Sequence, residues 1–374
     1  MSTDWAFFGL VAGLRLLVPL LIPRYPLPAI LAALLLDGVD QTLFEQFTAL
    51  PLEGYQGYDK ALDIYYLTIA YISTLANWED RFALRLGRAL FYWRLIGVAL
   101  FEVTDVRGLL LLFPNTFEYY FIFYEVCRLR WKPERVGRRT LIAAAALIWI
   151  GIKLPQEYWI HIAQLDATDW IKTEVLGASL DTPWPEIMAA HPAATMAVVV
   201  VLALALVAGW RFVVGRLPAP DRAPRLDARA DHTSFDGEEE QRAVEHEARQ
   251  IVDEALGEKI VLISLVSISF AHVLPGVRAT DLELAFGLGL VVTINTVLTH
   301  WLARRGVGWV FAGQQLIVVG VVNAVLMLAY GAIRTYLDAP VNPVNALFFA
   351  VLLSLLLTLF DRYRQVYLMR FAEV

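Results

Sequence analysis

Two carboxylates stand in Leu34-Leu35-Leu36-Asp37-Gly38-Val39-Asp40-Gln41, a stretch whose surroundings are apolar enough to lie in a lipid bilayer. An ionisable side chain at that depth costs about 2.5–3.5 kcal/mol on insertion scales, so such groups gather where they pair or act. Asp37 and Asp40 are three residues apart and share one helix face. Gly38 between them lets a second backbone or a ligand come close. Arg15, Asp63, Arg94, Glu102, Asn115, Glu118 and Glu125 also fall inside or at the ends of the apolar segments of the first third. Later segments carry almost no charge.

Depth sorts these groups. Counting a rise of about 1.5 Å per residue from the inner ends, Arg15, Asp37, Arg94 and Glu118 sit roughly 9–15 Å in, and Asp40, Asp63, Glu102 and Asn115 roughly 18–21 Å in. The inner layer balances, with two arginines against two carboxylates, and reads as structural ion pairing through Arg15 and Arg94. The outer layer has no base at its depth. Acids in that position take up protons, bind a cation or open to water. The ion- or substrate-binding set expected from the sequence is therefore Asp37, Asp40, Asp63, Glu102, Asn115 and Glu118. Asn115 lies three residues before Glu118, and Pro114 removes a backbone donor beside them. No resident cofactor is expected, although magnesium, sodium or a proton could couple to the acids. With no His-x-x-x-His pair and a single cysteine, Cys127, the residues for a zinc or iron centre are missing, so no such metal site is expected.

The elements that must position these residues are membrane spans. The chain has 374 residues, 58% hydrophobic and 18% charged, with a mean hydropathy of +0.55, values typical of a polytopic membrane protein. Eleven Trp and fifteen Tyr suit aromatic belts at two interfaces. The formal net charge of -6 says little about partners, because the charges are segregated by membrane side. Only five of the 31 basic residues are Lys, a bias that suggests a bacterial genome rich in G and C. Trp5–Ile22 lacks a basic leader and a small-residue cleavage site, and is expected to be a retained span.

Apolar runs of roughly 17–25 residues predict an all-α bundle of eleven spans: 5–22, 26–47, 61–77, 88–105, 108–127, 139–155, 191–214, 258–275, 282–302, 308–333 and 343–361. The loops 78–88, 128–139 and 303–307 and the tail are rich in arginine, while 48–60, 156–190 and 334–342 are acidic or poor in base. By the positive-inside rule that alternation puts the N-terminus outside and the C-terminus inside a cell membrane. Residues 1–215 form a seven-span part with the buried charges, 216–257 a cytoplasmic connector, and 258–374 a four-span, nearly neutral part. The outer loop 156–190 is expected to hold a short interfacial helix near 168–176. The connector begins as a Pro/Arg/Asp linker and predicts an amphipathic helix over 236–256. In the last part, Asn295, Asn323 and most of their polar neighbours predict hydrogen bonds between helices, while His300, close to Arg304, is expected at the membrane interface.

Three functional classes fit these features. Acids in a dry bundle are a usual means of coupling proton or cation movement to a substrate, so a transporter or channel is the leading expectation. Asp37-Gly38 followed by Asp59-x-x-x-Asp63 resembles the aspartate signature of the CDP-alcohol phosphotransferases. That resemblance implies an enzyme whose carboxylates hold a divalent metal against the pyrophosphate of its substrate, here a phosphorylated lipid. Leu34 stands where that signature has an aspartate, Ala-Arg does not follow Gly38, and the spacing to the second acid pair is longer. A membrane scaffold or sensor is the third class. The expected partners are the bilayer and a small-molecule, ion or lipid substrate, not nucleic acid; the sequence specifies no oligomeric state.

Overall fold

The computed structural model describes residues 3–48, 55–104, 106–132, 135–163, 170–179, 182–214, 219–221, 223–228, 254–274, 280–304, 312–336 and 342–371. Among them there is no strand. The helices are α1 Thr3–Leu17, α2 Pro26–Phe47, α3 Tyr55–Asn77, α4 Arg81–Thr104, α5 Gly108–Leu112, α6 Thr116–Arg130, α7 Arg138–Leu147, α8 Trp184–Ala190, α9 Pro192–Val214, α10 Glu254–Val273, α11 Asp281–Arg304, α12 Ala312–Tyr336 and α13 Pro343–Phe371.

Proline sets many of the boundaries. It opens α2, α9 and α13, where its missing N–H costs nothing and its fixed φ suits a first turn. Pro19 closes α1 into a 3-10 turn over Val18–Leu21. Pro114 breaks the segment 108–127, expected as one span, into α5 and α6, because the ring removes a donor and crowds the preceding turn. His191 and Pro192 bend the chain by 103° between α8 and α9. Beyond α7 the helix continues through a π-helical turn at Ile148–Lys153, a short α segment at Leu154–Glu157 and a second π turn at Tyr158–Ile162. Pro155, which cannot donate back along the helix, stands between the two turns.

Seven helical stretches among the described residues are long and apolar enough to cross a membrane: Asp4–Leu21, Pro26–Phe47, Arg138–Glu157, Glu254–Val273, Leu282–Leu302, Gln314–Arg334 and Pro343–Phe371. The bent pair α8–α9 makes an eighth when taken as one broken span. The protein is thus an integral membrane protein with several apolar helices. α9 exposes Val198, Val199, Val200, Val201, Leu204 and Val207, a surface untenable in water and ordinary in lipid. The remaining segments of the expected eleven, 61–77, 88–105 and 108–127, are helical or broken helix but fall short of that apolar measure. The reason is visible in α3. From Ala61 to Trp78 it is buried except at Asp63, so it meets protein instead of lipid and tolerates tyrosine, serine, threonine and asparagine.

The chain packs as two compact units. The first comprises Met1–Leu95, Phe117–Glu125 and Arg225–Val374; the second comprises Ile96–Thr116 and Val126–Pro224. In the first unit α3 is the axis. Tyr71 stacks on Phe91 at 4.6 Å, and Trp78 meets Phe121 at 5.7 Å and Tyr124 at 4.3 Å. The indole N–H of Trp78 donates to Glu125 at 2.7 Å, which satisfies an acid that would otherwise be costly at 1% exposure. Asn295 donates to Asn323 at 2.7 Å and Asn323 donates to Ser354 at 2.9 Å, tying α11, α12 and α13 by the interhelical bonds expected there. In the second unit Asp221 anchors the start of the connector. Its backbone N–H donates to the Arg130 carbonyl at 2.9 Å, and its carboxylate pairs with Arg135 at 2.9 Å. The expected helix 236–256 lies outside the described residues up to 253, and α10 begins at Glu254. The expected interfacial helix near 168–176 is a π-helical turn at Ile171–Val175.

Candidate functional site

The acids of α2 and α3 converge on one guanidinium. α1 carries Arg15 in its last turn, and α2 presents Asp37 and Asp40 from one face. α3 presents Asp59 and Asp63, four residues apart and hence also on one face. Arg15 Nη1 donates to Asp40 at 2.5 Å and to Asp59 at 2.9 Å. Its Nη2 donates to Asp37 and reaches Asp63 at 3.4 Å. Arg15 and Asp40 are sealed, with side chains 2% and 0% exposed, whereas Asp37, Asp59 and Asp63 keep 22%, 33% and 20%.

Acids expected in two separate layers, Asp37 in the inner and Asp40 and Asp63 in the outer, therefore meet at Arg15. Asp40 and Asp63, expected to have no base at their own depth, both bond Arg15. A guanidinium on a long flexible stem reaches across helix turns that axial position treats as separate. Four carboxylates against one guanidinium leave a formal excess of three negative charges. Oxygens of Asp37, Asp59 and Asp63 lie within 4.8 Å of one another, a spacing that could hold a metal ion. The donor set is all oxygen, which suits a hard cation such as magnesium or calcium over zinc.

Glu118 joins from α6. It accepts the Tyr66 hydroxyl, and Tyr66 lies one turn beyond Asp63 on the same face of α3. Glu118 is 2% exposed and within electrostatic range of Asp37. An aromatic layer lies beside the cluster. Phe8, Phe44 and Tyr58 meet with ring centroids 5.2–6.0 Å apart, and the Arg15 guanidinium lies 5.7 Å from the Tyr58 ring centre. Tyr65 donates to the Leu16 carbonyl at 3.0 Å and pins the end of α1 to α3.

Of the expected site residues, the structure brings together Asp37, Asp40, Asp63 and Glu118, with Arg15 at the centre. Glu102 and Asn115 belong to the second unit. There the Asn115 backbone N–H donates to Glu157 at 3.2 Å, so the break at Pro114 is closed by a carboxylate. Arg94 lies on α4, buried at 8% exposure. Asp59 was absent from the expected set because it precedes the apolar run of α3. Its signal was the i, i+4 spacing to Asp63. Three further buried or half-buried charges escaped notice for the same reason, since they stand at the ends of apolar runs: Glu258, Lys259 and Asp361. Glu258 accepts the hydroxyls of Tyr71 and Tyr92, the latter at 3.2 Å. Lys259 pairs with Asp361 and donates to Thr296 at 3.3 Å. In the second unit Lys153, Glu157 and Lys172 are also buried, Lys172 lying 5.4 Å from the Trp184 ring centre.

A cavity of about 640 Å³ runs between α1, α12 and α13, walled by Leu16, Tyr65, Ile317, Val321 and Phe348 and bearing no charged group. Its chemistry is that of a hydrocarbon contact, unlike the acidic cluster. No protein-family model, curated protein or solved structure matches this chain.

Proposed function

We propose that the protein is a cation-coupled membrane transporter whose coupling site is the Arg15–Asp37–Asp40–Asp59–Asp63 cluster. One observation carries the reading: the three carboxylates spaced to share a cation are all in contact with Arg15, a positive group on a different helix. A cation entering between Asp37, Asp59 and Asp63 competes with Arg15 for the same charge. The site thus has two alternative occupants, an internal guanidinium and an external ion, and α1 is held differently by each. Exclusion of that kind is what links ion binding to a change of state, because a ligand shifts an equilibrium only through its differential affinity for two states. Partial exposure of the three acids leaves a route for the ion.

A second reading has its own support. Asp37, Asp59 and Asp63 are the residues through which the sequence resembles the CDP-alcohol phosphotransferases, and they converge. In that reading the cluster belongs to a membrane enzyme, with magnesium bound by carboxylates and its remaining positions open to the phosphate of a lipid substrate.

The test is manganese binding to the purified protein in nanodiscs, read by electron paramagnetic resonance. The wild type is expected to bind manganese, and Asp59→Asn or Asp63→Asn to weaken it by about tenfold or more. Arg15→Gln is expected to tighten binding if guanidinium and ion compete. Absence of binding to the wild type would remove both readings. Binding that Arg15→Gln leaves unchanged would remove the exclusion mechanism and favour the enzyme.

A further inference from the structure

At one end of the first unit a second cluster, basic instead of acidic, joins α3, α4 and α13. Arg370 Nη1 donates to the carbonyls of Ala76 at 2.8 Å and Trp78 at 3.3 Å, and Arg81 Nη2 donates to the Phe371 carbonyl at 2.6 Å. These bonds clamp the last turn of α13 onto the α3–α4 turn, using carbonyls that a helix end leaves unsatisfied. About 10 Å further along each helix, by rise per residue, stand Arg88 on α4 and Arg364 on α13. Tyr367 is in range of both: Arg364 sits 4.8 Å from its ring centre, and Arg88 is within its electrostatic range.

These two arginines are under-satisfied. Among the described residues Arg88 Nε and Nη2 and Arg364 Nε are buried donors with no hydrogen-bond partner. Arg88 Nε pairs with Glu258 at 3.6 Å, beyond hydrogen-bond length, and Glu258 also accepts from Tyr71 and Tyr92. Asp361, three residues before Arg364, is committed to Lys259. Buried charged donors left without acceptors are costly, and in native proteins such groups mark an ion or water that completes them. The Arg88 side chain keeps 30% exposure, so the site is open. Arg364 follows closely on the apolar run that ends at Phe360. That is the level at which a bilayer turns from hydrocarbon to headgroup, and the loop 78–88, which ends at Arg88, carries the arginines of the expected inner side.

We propose that Arg88 and Arg364, with Tyr367 in range of both, bind the phosphate of an anionic phospholipid headgroup. Guanidinium forks suit phosphate oxygens, and an anion here supplies the acceptors that the protein lacks. The site is separate from the acidic cluster and does not depend on the function proposed for it.

The experiment is native mass spectrometry of the full chain released from nanodiscs of mixed phosphatidylglycerol and phosphatidylcholine. The wild type is expected to retain one phosphatidylglycerol in preference to phosphatidylcholine. Arg364→Gln, outside the Glu258 network and so safe for folding, is expected to cut that preference by about tenfold, the loss of one charge-assisted contact. Arg88→Gln is expected to do the same, and Arg85→Gln, exposed at the same end, to leave it unchanged. Millimolar inorganic phosphate should not displace the lipid. Equal retention of the two lipids, or retention unaffected by Arg364→Gln, overturns the proposal; so does displacement by inorganic phosphate, which would make this a free-phosphate site.

Discussion

Arg15 decides what the acidic cluster can be. Its guanidinium is buried, and removing it leaves four neighbouring carboxylates with no positive partner on α1. Stranding buried charge costs about 3–5 kcal/mol, so Arg15→Gln is expected to lower the melting temperature markedly in the absence of divalent cation. Added magnesium or manganese should then restore more stability to Arg15→Gln than to the wild type, since the ion takes the place of the guanidinium. Thermal unfolding followed by intrinsic tryptophan fluorescence, with and without cation, reads both effects. Asp59→Asn should behave in the opposite way. It removes one of three excess negative charges from the most exposed position, so folding without cation should be unchanged or slightly improved while cation stabilisation is lost. A cation response equal to that of the wild type in Asp59→Asn would place the ion elsewhere.

The site depends on α3 being held rigidly, and that is a matter of helix packing. The residue that follows α3, Trp78, meets α4 at Gly87: a methyl group built on Gly87 would stand 2.9 Å from the Trp78 ring and 3.6 Å from that of Tyr120. Trp78 is 0% exposed, wedged against Phe121 and Tyr124 and bonded to Glu125, so its ring cannot swing aside. Gly87→Ala is accordingly expected to destabilise by about 1–3 kcal/mol, the usual cost of overpacking, despite the better helix propensity of alanine. Gly38→Ala, on α2 between the two aspartates, meets nothing within 4 Å and should be neutral or slightly stabilising. A denaturation series on these two variants separates close packing at the α3–α4 contact from simple helix propensity. Equal stability for both would mean that the Trp78 contact does not hold α3.

Across the whole molecule the open quantity is how many helices cross and in which direction. Among the described residues seven stretches are apolar enough on their own, whereas the loop charges alternate consistently only with eleven. α4 discriminates. If it crosses, a cysteine placed at Asp80 and one at Arg107 lie on opposite sides; if it lies along the membrane, they share a side. In a Cys127→Ser background, an impermeant thiol reagent added to intact cells is expected to label positions 55 and 107 and to spare 80 and 135. Labelling at 135 would invert the orientation, and equal labelling at 80 and 107 would leave α4 uncrossed.

What could be read without coordinates followed from single-residue physics. Apolar runs long enough for a bilayer and the polar positions 295 and 323 each carry their meaning locally, so the all-helical membrane fold and the bonds among α11, α12 and α13 were legible. Asp37, Asp40, Asp63 and Glu118 were legible as candidates because charge inside an apolar run is costly wherever it falls. Their partners were not. Whether Arg15 faces Asp37 alone or four acids depends on the rotation of three helices about their axes, and axial depth carries no information about rotation. Asp59, Glu258, Lys259 and Asp361 stand at the ends of apolar runs, where the sequence cannot distinguish a solvated charge from one that a neighbouring helix covers. That α3 is surrounded by protein was hidden for the related reason that hydropathy records how apolar a helix is, and only the tertiary packing decides whether it meets lipid or protein.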